Sequence, residues 1–208
     1  ISPFRPRGLS TRGVARQIED FVRCATLAAE AGYHGVEVMG SEGYLINEFL
    51  VAATNQRDDE WGGEFERRMR FPVEIVRRIR AATGPDFVII YRLSMLDLVP
   101  GGSSWDEVET LARAIEAAGA FAIVGEGVKE EAAKAITEAV SVPTIGIGAG
   151  NATDGQVLVW SDMFGFFEAF KPKFVKQYFD GAKQVREGLE SYRNEVKARE
   201  FPSEAYTY

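Results

Sequence analysis

Four short apolar segments, separated by helix-patterned stretches, constrain this chain more than any other feature. They are Val36–Met39, Phe87–Leu93, Phe121–Val124 and Pro143–Ile147. Phe87–Leu93 is apolar at nearly every position, which suits a strand covered on both faces of a parallel sheet. The stretches between them carry helical periods. Val14, Ile18, Phe21, Val22, Ala25 and Ala28 recur at the 3.6 spacing, behind a Ser10 or Thr11 cap and ahead of Gly32. Phe71, Ile75, Val76 and Ile79 form a second stripe that stops at Gly84-Pro85. Ser104 and Glu107 have capping-box spacing and open a helix to Ala118. Lys129–Val140 and about Lys173–Lys197 read as further helices, Gly40 to Gly63 as a long loop, and Phe201 to Tyr208 as a tail.

Strands that alternate with helices pair in parallel through right-handed crossovers. The expected fold class is α/β: a (βα)4 unit, half of a TIM-type barrel, read as a single βα-repeat domain over residues 1–208. Four barrel strands leave two unpaired edges and an open apolar inner face, both costly in a monomer. A second copy on a twofold axis would complete the ring, so the expected partner is self, as a homodimer. The competing arrangement is an open layer whose edges are covered by the Gly40–Gly63 loop and the C-terminal helix.

Composition narrows the function classes. A net charge of −7 supplies no basic footprint for nucleic acid. No apolar run reaches the roughly 18 residues of a membrane span, and no signal-peptide pattern opens the chain, so a soluble, cytoplasmic protein is expected. The single cysteine, Cys24, reads as a buried thiol on the apolar stripe of the first helix, in a reducing compartment. His34, the one histidine, precedes the first strand and reads as a surface or cap residue. No metal-ligand pattern is present.

Two resemblances are carried by particular residues. Gly32-Tyr33-His34-Gly35-Val36-Glu37-Val38-Met39-Gly40-Ser41-Glu42-Gly43-Tyr44-Leu45-Ile46-Asn47-Glu48-Phe49-Leu50 resembles the fourth strand and following loop of the 2,4-dienoyl-CoA reductases, in the old yellow enzyme family. Thr54-Asn55-Gln56-Arg57, Trp61-Gly62-Gly63 and Ile90-Tyr91-Arg92-Leu93-Ser94 continue it, so that residues 7–120 are similar to that family. The resemblance implies a proton donor at Tyr44 and a flavin contact at Arg92. A phenol can protonate the face opposite hydride delivery, and a guanidinium can stabilise charge on reduced flavin. Read without the resemblance, Tyr44 is a packing aromatic and Arg92 an ion-paired strand end. The family's flavin phosphate is held by loops late in the barrel, and its second catalytic residue is a histidine that His34 does not replace.

Val142-Pro143-Thr144-Ile145-Gly146-Ile147-Gly148-Ala149-Gly150, Thr153-Asp154-Gly155-Gln156-Val157-Leu158-Val159 and Phe170-Lys171-Pro172-Lys173-Phe174 resemble the C-terminal part of the ketopantoate hydroxymethyltransferase family. The likeness covers residues 121–208 and implies a base at Glu126. Gly125, Gly127 and Lys129 depart from the family's usual residues, and Ser161 stands where a histidine is common. That family's magnesium ligands lie on earlier strands, so none is carried over. By itself Glu126 reads as a solvated or ion-paired strand end. Gly146, Gly148 and Gly150 could approach a phosphate, or could form a turn that allows tight strand-to-helix packing.

The two likenesses meet at Glu116-Ala117-Ala118-Gly119-Ala120. So clean a join of two partial sites reads as an engineered chimeric scaffold of barrel fragments, without efficient native catalysis and with no bound cofactor. The alternative is an FMN-binding enoyl reductase of the 2,4-dienoyl-CoA type with a partial site. In either case any ligand is expected beyond the C-terminal ends of the strands, near Tyr44, Arg92, Glu126 and Gly148.

Overall fold

A computed structural model describes the chain from Arg7 to Tyr208. Where the sequence reads as one repeat domain, the chain forms two compact units, the first ending at Gln156 and the second spanning Val157–Tyr208.

The first unit follows the sequence pattern closely. Helix α1 (Thr11–Glu30) starts where the Ser10 hydroxyl accepts the Gly13 N–H at 3.1 Å, and the chain turns after it at Gly32, φ 88°. Strand β1 (Gly35–Gly40) leads into the expected loop, which holds a short helix, α2 (Leu45–Leu50). Its buried Ile46, Phe49 and Leu50 lie at i, i+3 and i+4, a signal too brief to stand out in the sequence. Helices α3 (Phe65–Arg68) and α4 (Arg70–Thr83) follow, and Gly84, φ 83°, ends the second. Strand β2 (Val88–Leu93) precedes α5 (Trp105–Ala117), whose Ser104–Glu107 capping box is complete in both directions. Then come β3 (Ala122–Glu126), α6 (Glu130–Ala139), β4 (Thr144–Ile147) and a two-residue β5 (Gly155–Gln156).

All five strands are parallel and lie in chain order, β1-β2-β3-β4-β5. The expected four-strand half-barrel sheet is present, extended at one edge by β5. Parallel register places Met39, Arg92, Val124 and Ile145 side by side in one row. Because side chains alternate across a strand, the neighbouring residues Val38, Tyr91 and Ile123 point to the opposite face. That opposite face is the core. Val38, Ile89, Tyr91, Leu93 and Ile123 pack with Val14 and Ile18 of α1, Phe71, Ile75 and Ile79 of α4, and Leu111 and Ile115 of α5. Each such side chain, fully buried, contributes about 1.5–3 kcal/mol.

Cys24 corrects the sequence reading, because it is exposed. At 100° per residue it falls about 100° round α1 from the centre of the stripe of Val14, Ile18 and Ala25, beyond the edge of the buried face. His34 is exposed, in keeping with a surface residue.

In the second unit, α7 (Trp160–Met163) is followed by irregular chain and then α8 (Gly181–Ala198), with a 3-10 turn at Glu204–Tyr206 inside the expected tail. The expected helix from Lys173 therefore begins later. The N–H groups of Tyr178 and Gly181 bond the carbonyls of Met163 and Phe164, both at 2.9 Å, so they cannot join a helical ladder. Asp180 then caps α8 by accepting the Lys183 N–H. Val185, Leu189, Tyr192 and Val196 form an exposed apolar stripe along α8.

Candidate functional site

The side chains with chemical potential collect at the C-terminal ends of β1, β2 and β3, on the face away from the helical core. Register explains how. Arg92 sits beside Met39 and Val124, while Glu37 lies two residues before Met39 and Glu126 two residues after Val124. An even spacing keeps all three charged groups on one face. The Arg92 guanidinium spans both carboxylates: Nε donates to Glu37 Oε1 at 2.6 Å, and Nη1 pairs with Glu126 Oε2. Glu42, from the turn after β1, comes within 3.9 Å of the same nitrogen. Three carboxylates thus share one guanidinium whose side chain is 18% exposed.

The electrostatics follow from this crowding. The hydrogen bond to Glu37 raises Arg92 above its already high ordinary value. Burial raises Glu126 above the usual carboxylate range, and the adjacent Glu42 adds to the rise while Arg92 opposes it. Sequence reasoning missed Glu37 and Glu42. The period-2 alternation of Val36-Glu37-Val38-Met39 could have identified Glu37, because a carboxylate opposite a buried Val38 must face the open side of the sheet.

Tyr44 is 59% exposed and stands at the N-cap of α2. Among the described residues no group bonds its hydroxyl. It borders an open pocket of about 410 Å³ with Phe21, Met39, Glu42, Leu45 and Ile46. A second pocket of about 340 Å³, also bordered by Glu42, lies between α2 and the β2–α5 loop, with Asn47, Ser94, Asp97 and Leu98 in its wall. Asp97 accepts from Asn47 Nδ2 at 3.0 Å, Ser94 Oγ at 2.9 Å and the Ser103 N–H at 2.9 Å. Burial alone would raise its pKa, but these bonds together hold it below the ordinary value. Asp97 anchors that loop.

Arg92 and Glu126, read in the sequence as members of two separate sites, therefore touch directly. The glycine run is closely packed. A Cβ on Gly150 would lie 2.5 Å from Glu130 Cβ, and one on Gly146 would lie 2.8 Å from Thr153 Oγ1. Both glycines admit neighbouring side chains, and Gly148 and Gly150 take φ 62° and 75° in the turn between them. Among the described residues no group of His, Cys, Asp and Glu is arranged to hold a metal ion, and no helix is long and apolar enough to cross a membrane.

Comparison with known proteins finds two families, whose matched stretches overlap. Residues 2–152 match the NADH:flavin oxidoreductase / NADH oxidase family, and residues 101–204 match ketopantoate hydroxymethyltransferase. Both patterns describe residues 101–152, which hold α5, β3, α6 and β4. A 3-methyl-2-oxobutanoate hydroxymethyltransferase of a Nitratiruptor species is 63% identical over 97 residues, covering 47% of this chain and 38% of that protein. Its counterpart from Aliarcobacter butzleri is 58% identical over 110 residues, covering 51% and 41%. The chain thus spans well under half the length of these relatives. Among solved structures, a 2-naphthoyl-CoA reductase complex superposes with TM-score 0.65 and 28% identity over 73% of this chain and 26% of that one. Morphinone reductase superposes with TM-score 0.65 and 25% identity over 74% and 47%.

Proposed function

We propose a function from one premise: the chain belongs to the NADH:flavin oxidoreductase / NADH oxidase family over residues 2–152 and to the ketopantoate hydroxymethyltransferase family over residues 101–204. It is a recombined barrel-fragment scaffold, engineered in origin, without efficient catalysis of either family's reaction. The observation that carries this reading is the ion pair between Arg92 and Glu126. The guanidinium implied as a flavin contact and the carboxylate implied as a base neutralise one another across the join.

An FMN-binding enoyl reductase is the alternative, and the residues fit that anionic cofactor poorly. Arg92 is already held by Glu37 and Glu126, with Glu42 beside it, so an incoming anion meets an excess of negative charge. Of the three glycines offered for a phosphate, Gly146 and Gly150 make room for Thr153 and Glu130. Tyr44 remains accessible as a proton donor, but a phenol supplies only the proton of a reduction. The hydroxymethyltransferase reaction fares no better, because the Glu126 carboxylate is already engaged by Arg92 and would have to leave that pair to reach a substrate. Any ligand that binds does so beyond the strand ends, near Tyr44, Arg92, Glu126 and Gly148.

The assembly belongs to the same reading. Among the described residues no strand pairs with the outer edge of β1, and the inner sheet face exposes Met39 and leaves Val88 and Ile90 half-buried. A second copy that covers this face makes a homodimer.

The test is purification without added cofactor, followed by an absorption spectrum, NADH oxidation with an enone acceptor, magnesium-dependent hydroxymethyl transfer to 3-methyl-2-oxobutanoate, and light scattering on a sizing column. A colourless protein of twice 23.0 kDa, inactive in both assays, is expected. Stoichiometric flavin with NADH turnover, or transfer activity abolished by Glu126→Gln, would overturn the scaffold reading. A mass of 23.0 kDa at high concentration would overturn the dimer alone.

A further inference from the structure

The β2–α5 loop carries three exposed apolar side chains close together, Leu96, Leu98 and Val99, with Leu98 exposed to 87%. All three border the pocket of about 340 Å³ between this loop and α2, together with the buried Val51. That volume lies in the range of small-molecule sites, which are mostly apolar with a few fixed polar groups. The loop is fixed in place beside it. Asp97 accepts from Ser94 Oγ at 2.9 Å, from the Ser103 N–H at 2.9 Å and from Asn47 Nδ2 of α2 at 3.0 Å. Asn47 is itself 4% exposed, and its Oδ1 takes the Gly43 N–H at 2.8 Å. A Cβ on Gly102 would lie 2.7 Å from Asp97 Cβ, so the returning chain packs tightly against this anchor.

The polar side chains of the wall have a shared bias. Thr54 Oγ1 donates to the carbonyls of Glu48 and Val51 at 2.8 and 3.0 Å, and Ser94 Oγ donates to Asp97. Their protons are spent, and what each hydroxyl still offers is lone pairs. Glu42, Glu48 and Asp97 add carboxylates, which only accept. No cationic side chain lines the pocket, and among the described residues none pairs with Glu48 or Asp97, while Glu42 has Arg92 at 3.9 Å and the Ser41 hydroxyl at 3.3 Å. An anion there meets like charge. A ligand suited to this wall brings donors and positive charge at one end and hydrocarbon at the other.

We propose that this pocket binds a small primary ammonium amphiphile, its head among Glu42, Glu48 and Asp97 and its tail against Val51, Leu96, Leu98 and Val99. An ammonium has three donors and no lone pair, which complements a wall of acceptors. Seating the tail removes the three loop side chains from water, and that burial supplies the affinity. The site uses neither Tyr44 nor Glu126, so it stands or falls separately from the scaffold reading.

The test is methyl NMR of the chain at low ionic strength with n-hexylammonium, n-hexanol, hexanoate and methylammonium as probes. Hexylammonium is expected to shift the methyl resonances of Val51, Leu96, Leu98 and Val99 saturably, and to bind about tenfold or more tighter than hexanoate. Hexanol should fall between them, and methylammonium, which lacks the tail, should not saturate where hexylammonium does. Two variants at exposed positions separate head from tail without touching the core. Glu48→Gln should weaken hexylammonium by about threefold and leave hexanol unchanged. Leu98→Ser should weaken both alike. Hexanoate binding as tightly as hexylammonium, methylammonium saturating as readily, or shifts confined to other parts of the chain would each overturn the proposal. So would a wild type in which no probe moves these resonances, or a Glu48→Gln chain unchanged toward hexylammonium.

Discussion

Removing the hydroxyl of Tyr91 should stabilise this protein. Tyr91 is 0% exposed, on the core face of β2, and among the described residues its hydroxyl has no hydrogen-bond partner. Burial alone drives the phenol's pKa far up, so the group is a neutral, unpaired donor in an apolar setting. Leaving such a group unsatisfied costs about 1–3 kcal/mol. The oxygen does fill space: a Cβ at Gly40 would lie 2.2 Å from it and 2.3 Å from the ring carbon that bears it. Tyr91→Phe forfeits the contacts of that one atom, worth at most a few tenths of a kcal/mol. The net expectation is a gain of about 1–2 kcal/mol. In a chain of this length that is a rise of roughly 2–8 °C in Tm. Urea unfolding in a Trp160→Phe background reads it, because Trp61 and Trp105 then report on the first unit alone. Gly40→Ala is the companion variant and should destabilise strongly with either side chain at position 91, since the ring carbon remains in its way. A loss of stability in Tyr91→Phe would refute the reasoning, because it would mean that the hydroxyl is satisfied.

Two further outcomes follow from the same packing. Asp59 is held down to about 2 by Arg57 above all, with help from the Thr11 hydroxyl and the Trp61 N–H, so its contribution is present above its ordinary 3.8 and lost as pH falls through about 2. Asp59→Asn should therefore cost about 1–2 kcal/mol at pH 7 in urea titrations, with the gap to wild type closing by pH 2. Gly150→Ala should cost about 2–4 kcal/mol, combining left-handed strain at φ 75° with the clash against Glu130. Gly127→Ala, at φ 61° with open space around it, isolates the strain and should cost about 1 kcal/mol. Equal losses at the two positions in thermal unfolding would show that Gly150 is not there for packing.

Much of this protein is determined by the sequence alone, and the legible parts share a physical character. Helix α1, the capping box of α5, the glycine stops and the apolar strands depend on spacings of a few residues, where side chain and backbone interact locally. Parallel pairing follows from their alternation, and the two family likenesses from contiguous runs. What the sequence left open depends on atoms distant in the chain. Cys24 is exposed because the buried arc of α1 is narrower than its apolar residues suggest. Helix α8 starts at Gly181 because carbonyls of Met163 and Phe164 take the N–H groups that an earlier start would need. The candidate site shows this most clearly. Arg92 and Glu126 were each visible as a residue of interest, and Glu37 and Glu42 were not. Only the register of β1, β2 and β3 brings one guanidinium among three carboxylates, and register is set by the packing of whole strands against their helices. Tertiary structure thus gathered residues from both family likenesses into one charged cluster, because charges far apart in sequence interact only after the sheet has placed them side by side.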